Sequence, residues 1–406
     1  MLSTIRFVAH HPVLRIYGLL MFIASSAGAC VLPYRALIAI DTLHMSEQAF
    51  AAMMLLSTLT ALVFGVCIGI VSDFAGNRRR LMAILLSVGV AAALLIWMVE
   101  TAWMMALAVI CLLPFANINP MIYAGTRMEA ASLDPREAAS VNSVVRTTMS
   151  ASWVFIPVAV ALVLETGGLG VMNVWAVMAC LFGLCLVLVL IFLPDTARAG
   201  SAPGGLAGFR AALKELAHPA ILLRLVAVSL LSSVNWLNGY VQALIIKTTL
   251  GGTLGEAGFM ASGIALMEIP FMLAWASALR RLGPVTTLAA GSALYAVYLV
   301  GLGLATSVWQ VHALIPIAGA GAAAILSVPI SYFQDMFPER PGLGTSLYPM
   351  QTFLGTGAAA GTFAVATHFT SYQGTAIVGA AITLAASLLL IAIERGVHLP
   401  QKGTAG

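Results

Sequence analysis

Residues Gly69 to Leu81 read GIVSDFAGNRRRL, an aspartate, a glycine and three consecutive arginines set between two long apolar segments. A soluble domain cannot be fitted into flanks this apolar. The stretch reads as a short basic loop between two membrane helices. Its surroundings support that reading, because 61% of the 406 residues are hydrophobic and only 8% are charged. An ordinary soluble chain carries about a quarter charged residues. Mean hydropathy is +1.01, and apolar runs of about 20 residues, enough to cross a bilayer, recur along the whole length.

Twelve spans are expected, at about 14–40, 47–70, 81–99, 102–126, 138–163, 170–193, 220–246, 255–278, 286–305, 309–332, 343–367 and 372–393. The first run is too long for a signal peptide and lacks a small-residue cleavage pattern, so it is expected to be retained. The fold class that follows is all-α integral membrane, with twelve transmembrane helices in two six-helix pseudo-repeat bundles. The dividing segment is rich in Gly, Ala and Pro and turns into a short basic amphipathic helix. The expected organisation is a bundle over 1–196, a cytoplasmic linker over 197–219, and a second bundle with a short tail over 220–406.

Charge sets the orientation. Alternate loops carry Arg78, Arg79 and Arg80; Arg136; Arg198, Arg210 and Lys214; Arg280 and Arg281; and Arg340, with Arg395 and Lys402 in the tail. The opposite loops hold little beyond Arg35 and Lys247. Both termini are therefore expected on the cytoplasmic side. The halves also look duplicated: His11-Pro12, Ser25-Ser26 and Ala36-Leu37-Ile38 recur as His218-Pro219, Ser232-Ser233 and Ala243-Leu244-Ile245 at one constant offset. Pro120 to Tyr123 recurs as Pro329 to Tyr332 in the tenth span. Such duplication is usual in transporters with parallel halves.

The Gly69, Asp73, Gly76, basic cluster and Leu81 of the opening stretch resemble the loop signature between the second and third helices of the major facilitator superfamily. Val71 stands for the usual leucine and Phe74 for a frequent arginine. Within that superfamily the chain resembles the bacterial sugar efflux transporter group. The likeness rests on Ser143-Val144-Val145-Arg146 leading to Ser152-Trp153 and Pro157, on Glu268-Ile269-Pro270, and on Phe333-Gln334-Asp335 followed by Pro338 and Arg340. The group often has Gly-Pro where this chain has Ile156-Pro157. Membership implies proton-coupled export of sugars or glycoside-like solutes across the bacterial inner membrane.

Ionisable residues inside spans are functional candidates by default, because a charge in hydrocarbon is costly. Glu268, inside the eighth span just before Pro270, is the candidate proton carrier; the alternative is a permanently ionised partner for an arginine. Arg146 either faces the cavity, on a solute or a carboxylate, or locks two helices together, or snorkels to the cytoplasmic surface. Asp335, with Glu129 as a similar case, fits a gating ion-pair network. Gly69, Asp73, Gly76 and Arg78 are assigned to the gating loop, while Arg79 and Arg80 are explained by topology and lipid contact.

Sugar recognition calls for amides, hydroxyls and flat aromatic surfaces. Asn235, Asn238 and Gln242 lie on one face of the seventh span, with Trp236 and Tyr240 adjacent. Asn117, Asn119 and Tyr123 cluster around Pro120; Tyr332 belongs to the repeated motif; Tyr348, Gln351 and Thr352 lie on the eleventh span. Interhelical hydrogen bonding is the alternative role for these amides. The five cysteines sit singly in apolar segments without metal-type spacing. No GxxxxGK[ST] loop occurs, which excludes a P-loop ATPase, and no basic patch interleaved with aromatics points to nucleic acid. The expectation is a secondary carrier working by alternating access as a monomer in the bilayer, with a sugar-like solute and protons as its partners and no cofactor. Drug export, a transport-dead sensor and a membrane-embedded enzyme are the alternatives; the enzyme finds no support in the scattered histidines.

Overall fold

A computed structural model describes residues 11–74, 77–130, 135–193, 218–337 and 341–396. Most of the expected linker, the end of the basic loop at Gly76, and Pro338 with Arg340 lie outside the described residues. Among those described, ten helices are long and apolar enough to cross a membrane, or eleven if the bent pair Ala102–Cys111 and Leu113–Glu129 forms one span. A further helix, Pro341–Phe369, runs for 29 residues and is rich in glycine, alanine and threonine. Twelve long segments thus follow one another where the apolar runs place them. Their backbone polar groups are satisfied within each helix, as a bilayer demands.

The fourth span, expected to be continuous, is broken. Ala102–Cys111 gives way to a 3₁₀ turn at Leu113–Ala116 before Asn119–Glu129 resumes, with a bend of 46°. Pro114 and Pro120 explain the break, since each lacks an N–H and is tolerated at the start of a helical turn but not inside one. The Asn117 side chain accepts from the Asn119 amide at 3.3 Å, satisfying part of the exposed backbone.

The repeat has a physical content. Pro12 and Pro219 each open a helix, and the preceding histidine accepts a backbone N–H, from Leu14 to His11 Nδ1 at 3.4 Å and from Ala220 to His218 Nδ1 at 3.3 Å. At the other end of these helices, Ile38–Thr42 and Ile245–Thr249 are π-helical. Each closes with paired bonds, Leu43 N to Ile38 O and Met45 N to Ala39 O in one, Leu250 N to Ile245 O and Gly252 N to Ile246 O in the other. The next residues, His44 and Gly251, both take positive φ, 53° and 67°. Glycine adopts that conformation freely; His44 does so at a cost. The correspondence runs at the same offset as the His-Pro pairs, so initiation and termination are both duplicated.

The helices sort into two compact units, Met1–Ser201 with Gln242–Leu266, and Ala202–Val241 with Met267–Gly406. In the first, the opening helix packs on the fifth and sixth, and the third on the sixth. The first part of the eighth helix, up to Leu266, belongs here too. Tyr34 Oη donates to Pro157 O at 2.7 Å and the same hydroxyl lies against Gly258; Val158 N donates to Ser262 Oγ at 3.1 Å; Gly255 N donates to Glu165 Oε1 at 2.7 Å. In the second unit the ninth helix, Pro284–Leu304, packs on the tenth, Ile315–Asp335, and the twelfth, Tyr372–Gly396. Large apolar side chains point outward throughout, among them Leu273, Phe369 and Leu388 at 74%, 80% and 68% exposure. Water would penalise such a surface, whereas acyl chains cover it without cost.

Close approach of the ninth and tenth helices depends on Gly321, where a Cβ would come within 2.8 Å of the Tyr295 backbone. Gly321→Val is therefore expected to destabilise the protein by about 1–3 kcal/mol, as overpacking does. Thermal unfolding in detergent, compared with Gly361→Val where nothing lies within 4 Å, checks this: equal melting temperatures would contradict it.

Candidate functional site

The polar groups inside the second unit fall into two clusters. Towards the start of the seventh helix, Arg224 is 2% exposed and its Nε donates to Glu394 Oε1 at 2.5 Å; Nη2 reaches Oε2 at 3.5 Å. Tyr332 Oη donates to the same Oε1 at 2.6 Å. The seventh, tenth and twelfth helices are joined through one carboxylate that receives both charge-assisted bonds. Tyr332, expected to contact solute, directs its hydroxyl at Glu394.

The second cluster lies deeper. Asn235 Oδ1 accepts from Tyr295 Oη at 3.2 Å, and Asn238 Oδ1 accepts from Tyr298 Oη at 2.7 Å. Both tyrosines are fully buried on the ninth helix and meet edge to face at 5.3 Å. Asn238 is buried while Asn235 and Trp236 are partly exposed. Glu268, midway along the eighth helix Leu254–Leu282, is partly buried and acts electrostatically on Tyr295. It has no ion-pair partner among the described residues. On the eleventh helix Gln351 is buried and its Oε1 lacks a hydrogen-bond partner among the described residues, while Tyr348 is partly buried. Gln242, also expected at the site, is buried at the end of the seventh helix and belongs to the first unit, outside this cluster.

In the first unit, Tyr123 Oη points at Met149 Sδ, 3.9 Å away, and lies within electrostatic reach of Arg146. Met149 and Arg146 are one turn apart on the fifth helix, so the fourth and fifth helices bring Tyr123 and Arg146 together. Arg146 is exposed; Asn119 is partly exposed and Asn117 exposed in the break. Of the gating loop, Gly69 and Asp73 fall in the second helix Glu47–Phe74. Arg78 opens the third helix, with Asn77 Oδ1 capping Arg80 N at 3.0 Å, and directs Nη1 at Met128 Sδ, 2.8 Å away. Arg79 donates to Leu190 O. Arg78 and Glu129 both act electrostatically on Tyr17, which the repeat aligns with Arg224. Asp335 is exposed at the end of the tenth helix.

A family model described as the Major Facilitator Superfamily matches residues 17–241 and 225–406. The chain belongs to the Major Facilitator Superfamily. Solved structures of that architecture superpose well on this superfamily member. The nucleoside transporter NupG aligns with a TM-score of 0.78 at 12% identity, covering 94% of this chain and 99% of that one. A bacterial homolog of the human lysosomal transporter Spinster, inward-facing and occupied, aligns with a TM-score of 0.74 at 13% identity, covering 96% and 98%. At such identities the likeness speaks to the fold.

Among superfamily relatives, a Deinococcus radiodurans protein whose name includes "sugar efflux transporter" is 27% identical over 386 residues, 93% of this chain and 96% of that protein. Sugar efflux transporter A of Dickeya chrysanthemi is 27% identical over 338 residues, 82% and 84% of the two chains. This superfamily member is a multi-pass membrane transporter of small molecules, not an enzyme.

Arg224 and Glu394 were not among the residues that the sequence singled out. The available sign was an arginine within the seventh apolar run and a glutamate one position past the expected end of the twelfth. Removing one partner leaves a buried charge uncompensated, at about 3–5 kcal/mol. Arg224→Met and Glu394→Leu are each expected to lower the melting temperature sharply, and the double variant to recover most of the loss. Additive losses in the double variant would show that the two charges do not act as a pair.

Proposed function

We propose that the protein exports sugars or glycoside-like solutes from the bacterial cytoplasm across the inner membrane in exchange for protons, by alternating access. The observation that carries this reading is a partly buried carboxylate, Glu268, without an ion-pair partner among the described residues, in the same unit as the Asn235 and Gln351 amides. A carboxylate that is not neutralised by an arginine can take and release a proton, and amides beside Trp236 suit a ring bearing hydroxyls. The similarity along most of the chain to proteins named sugar efflux transporters supports the cargo class. In this reading Glu268 carries the proton, and Asn235, Trp236, Gln351, Tyr123 and Arg146 contact the solute. Asp335 and the Gly69–Arg78 segment, which joins the end of the second helix to the start of the third, gate the cytoplasmic side, where both termini lie, and the carrier works as a monomer.

Residues 1–196 and 220–406 act as the two moving halves, with 197–219 as the linker. The contacts that hold the first part of the eighth helix against Tyr34, Pro157, Val158 and Glu165 are then the seam that must open when the carrier faces outward. Val158 N and Ser262 Oγ are 3.1 Å apart, so the two positions meet at this seam and a bifunctional thiol cross-linker can join cysteines placed there. In a background without the native cysteines, cross-linking Val158→Cys/Ser262→Cys with a reducible thiol reagent is expected to stop transport, and reduction to restore it. Undiminished flux in the cross-linked protein would rule out opening along this seam.

Proton coupling has its own test. Glu268→Gln in proteoliposomes is expected to abolish flux driven by a pH gradient while sparing solute counterflow. Wild-type gradient-driven flux would remove Glu268 from the coupling role. The same counterflow assay, run on labelled mono- and disaccharides alongside amphipathic drugs, tests the cargo class. Drug uptake without sugar uptake would replace the sugar reading, and absence of any flux would point to a sensor.

A further inference from the structure

We propose that Tyr295 is a positioning residue that turns Asn235 into a hydrogen-bond donor towards the solute, so that the site selects an acceptor oxygen at that point. The inference rests on the reading that Asn235 contacts the solute. A carboxamide presents a carbonyl acceptor on one side and two N–H donors on the other, and free rotation would let it read either kind of group. Tyr295 removes the choice. Its hydroxyl donates to Asn235 Oδ1 at 3.2 Å, so the Nδ2 hydrogens point away from the tyrosine. No other hydrogen bond to this carboxamide occurs among the described residues, and the side chain is partly exposed.

The tyrosine is itself held on all sides. It is fully buried, it meets Tyr298 edge to face, and Gly321 on the tenth helix lies against its backbone. Its hydroxyl therefore has little freedom to follow a rotating partner. Asn238 and Tyr298 form the same pair one helical turn further on, at 2.7 Å, but Asn238 is only 6% exposed. That second pair is a strut between the seventh and ninth helices. The two asparagines, alike in sequence, thus separate into one that can reach a solute and one that braces it. Glu268 acts electrostatically on Tyr295 as well, so the tyrosine that orients the amide also lies within reach of the carboxylate assigned to the proton.

The test uses the full-length protein in proteoliposomes, with methyl glucoside and its monodeoxy and monodeoxyfluoro analogues as competitors in counterflow. Fluorine keeps a weak acceptor in place of a hydroxyl and deletes the donor; hydrogen deletes both. At the hydroxyl read by Asn235, the wild type is expected to favour the fluoro analogue over the deoxy analogue. Tyr295→Phe should raise the half-saturation concentration roughly three- to tenfold, the loss of one neutral hydrogen bond, and narrow the fluoro-over-deoxy preference, because the freed amide can now present either face. Tyr298→Phe serves as the comparison: it should lower the melting temperature and leave the preference intact. A purely structural Tyr295 would behave like Tyr298, and that result overturns the proposal. Asn235→Ala separates the two levels. If it raises half-saturation while Tyr295→Phe does not, solute contact stands and the positioning role falls. If Asn235→Ala leaves half-saturation unchanged, the contact itself is refuted, and the proposal with it.

Discussion

Hydrocarbon offers no hydrogen-bond partners, and the backbone and the paired polar side chains of the described spans are arranged around that scarcity. The backbone meets the requirement by remaining helical for nearly the whole of each span. Where it departs from the helix, a side chain or a neighbouring carbonyl takes over: Asn117 at the break in the fourth span, His11 and His218 at the openings of the first and seventh, and the paired closing bonds at both π-helical ends. The side chains meet it in pairs across helices. Arg224 reaches Glu394, Tyr332 shares the same carboxylate, and two tyrosines of the ninth helix meet two asparagines of the seventh. Each such pair fixes the rotation of one helix against another more tightly than apolar packing can, because an unpartnered polar group in hydrocarbon costs several kcal/mol.

This pairing also separates structure from candidate chemistry. A charge that must remain a charge is neutralised locally, as Arg224 is by Glu394. Glu268, the group proposed to change its charge, has no such partner among the described residues and lies within electrostatic reach of the buried Tyr295. Arg146 is likewise exposed rather than locked into an ion pair among the described residues, with Tyr123 nearby. The same constraint explains why the seventh helix carries both kinds of group. Its first turns hold the ion pair; its middle holds the asparagines; and its far end repeats, bond for bond, the π-helical closure of the first helix.

Much of the fold was legible in the residues because the strongest physical signals are local. Span positions follow from apolar length, and the GIVSDFAGNRRRL stretch together with the family blocks is enough to reach the superfamily. The duplicated His-Pro starts also announce themselves. The break in the fourth span was less visible: Pro114 and Pro120 mark it, but a continuous apolar count runs straight across. Placing the end of the last span at 393 left Glu394 with the tail charges, although the helix continues to Gly396 and carries that carboxylate into the bundle. Tyr295 and Tyr298 could not be separated by pattern from ordinary core aromatics, since their meaning lies in what faces them from a helix some sixty positions away.

The asparagines show most clearly where sequence reading reaches its limit. Asn235 and Asn238 have the same chemistry, the same helix face and neighbouring positions, so any rule based on residue type and spacing treats them alike. Their environments differ in one respect, access. Asn238 is enclosed with its carbonyl taken by Tyr298, whereas Asn235 is partly exposed. An amide whose oxygen is already occupied has lost half of its recognition capacity and gained direction in the half that remains. A carrier benefits from that trade, because it must distinguish solutes by a few hydrogen bonds and still release them. Fixing a donor through a buried hydroxyl sharpens selection without adding contacts, so binding need not become tight enough to hold the cargo.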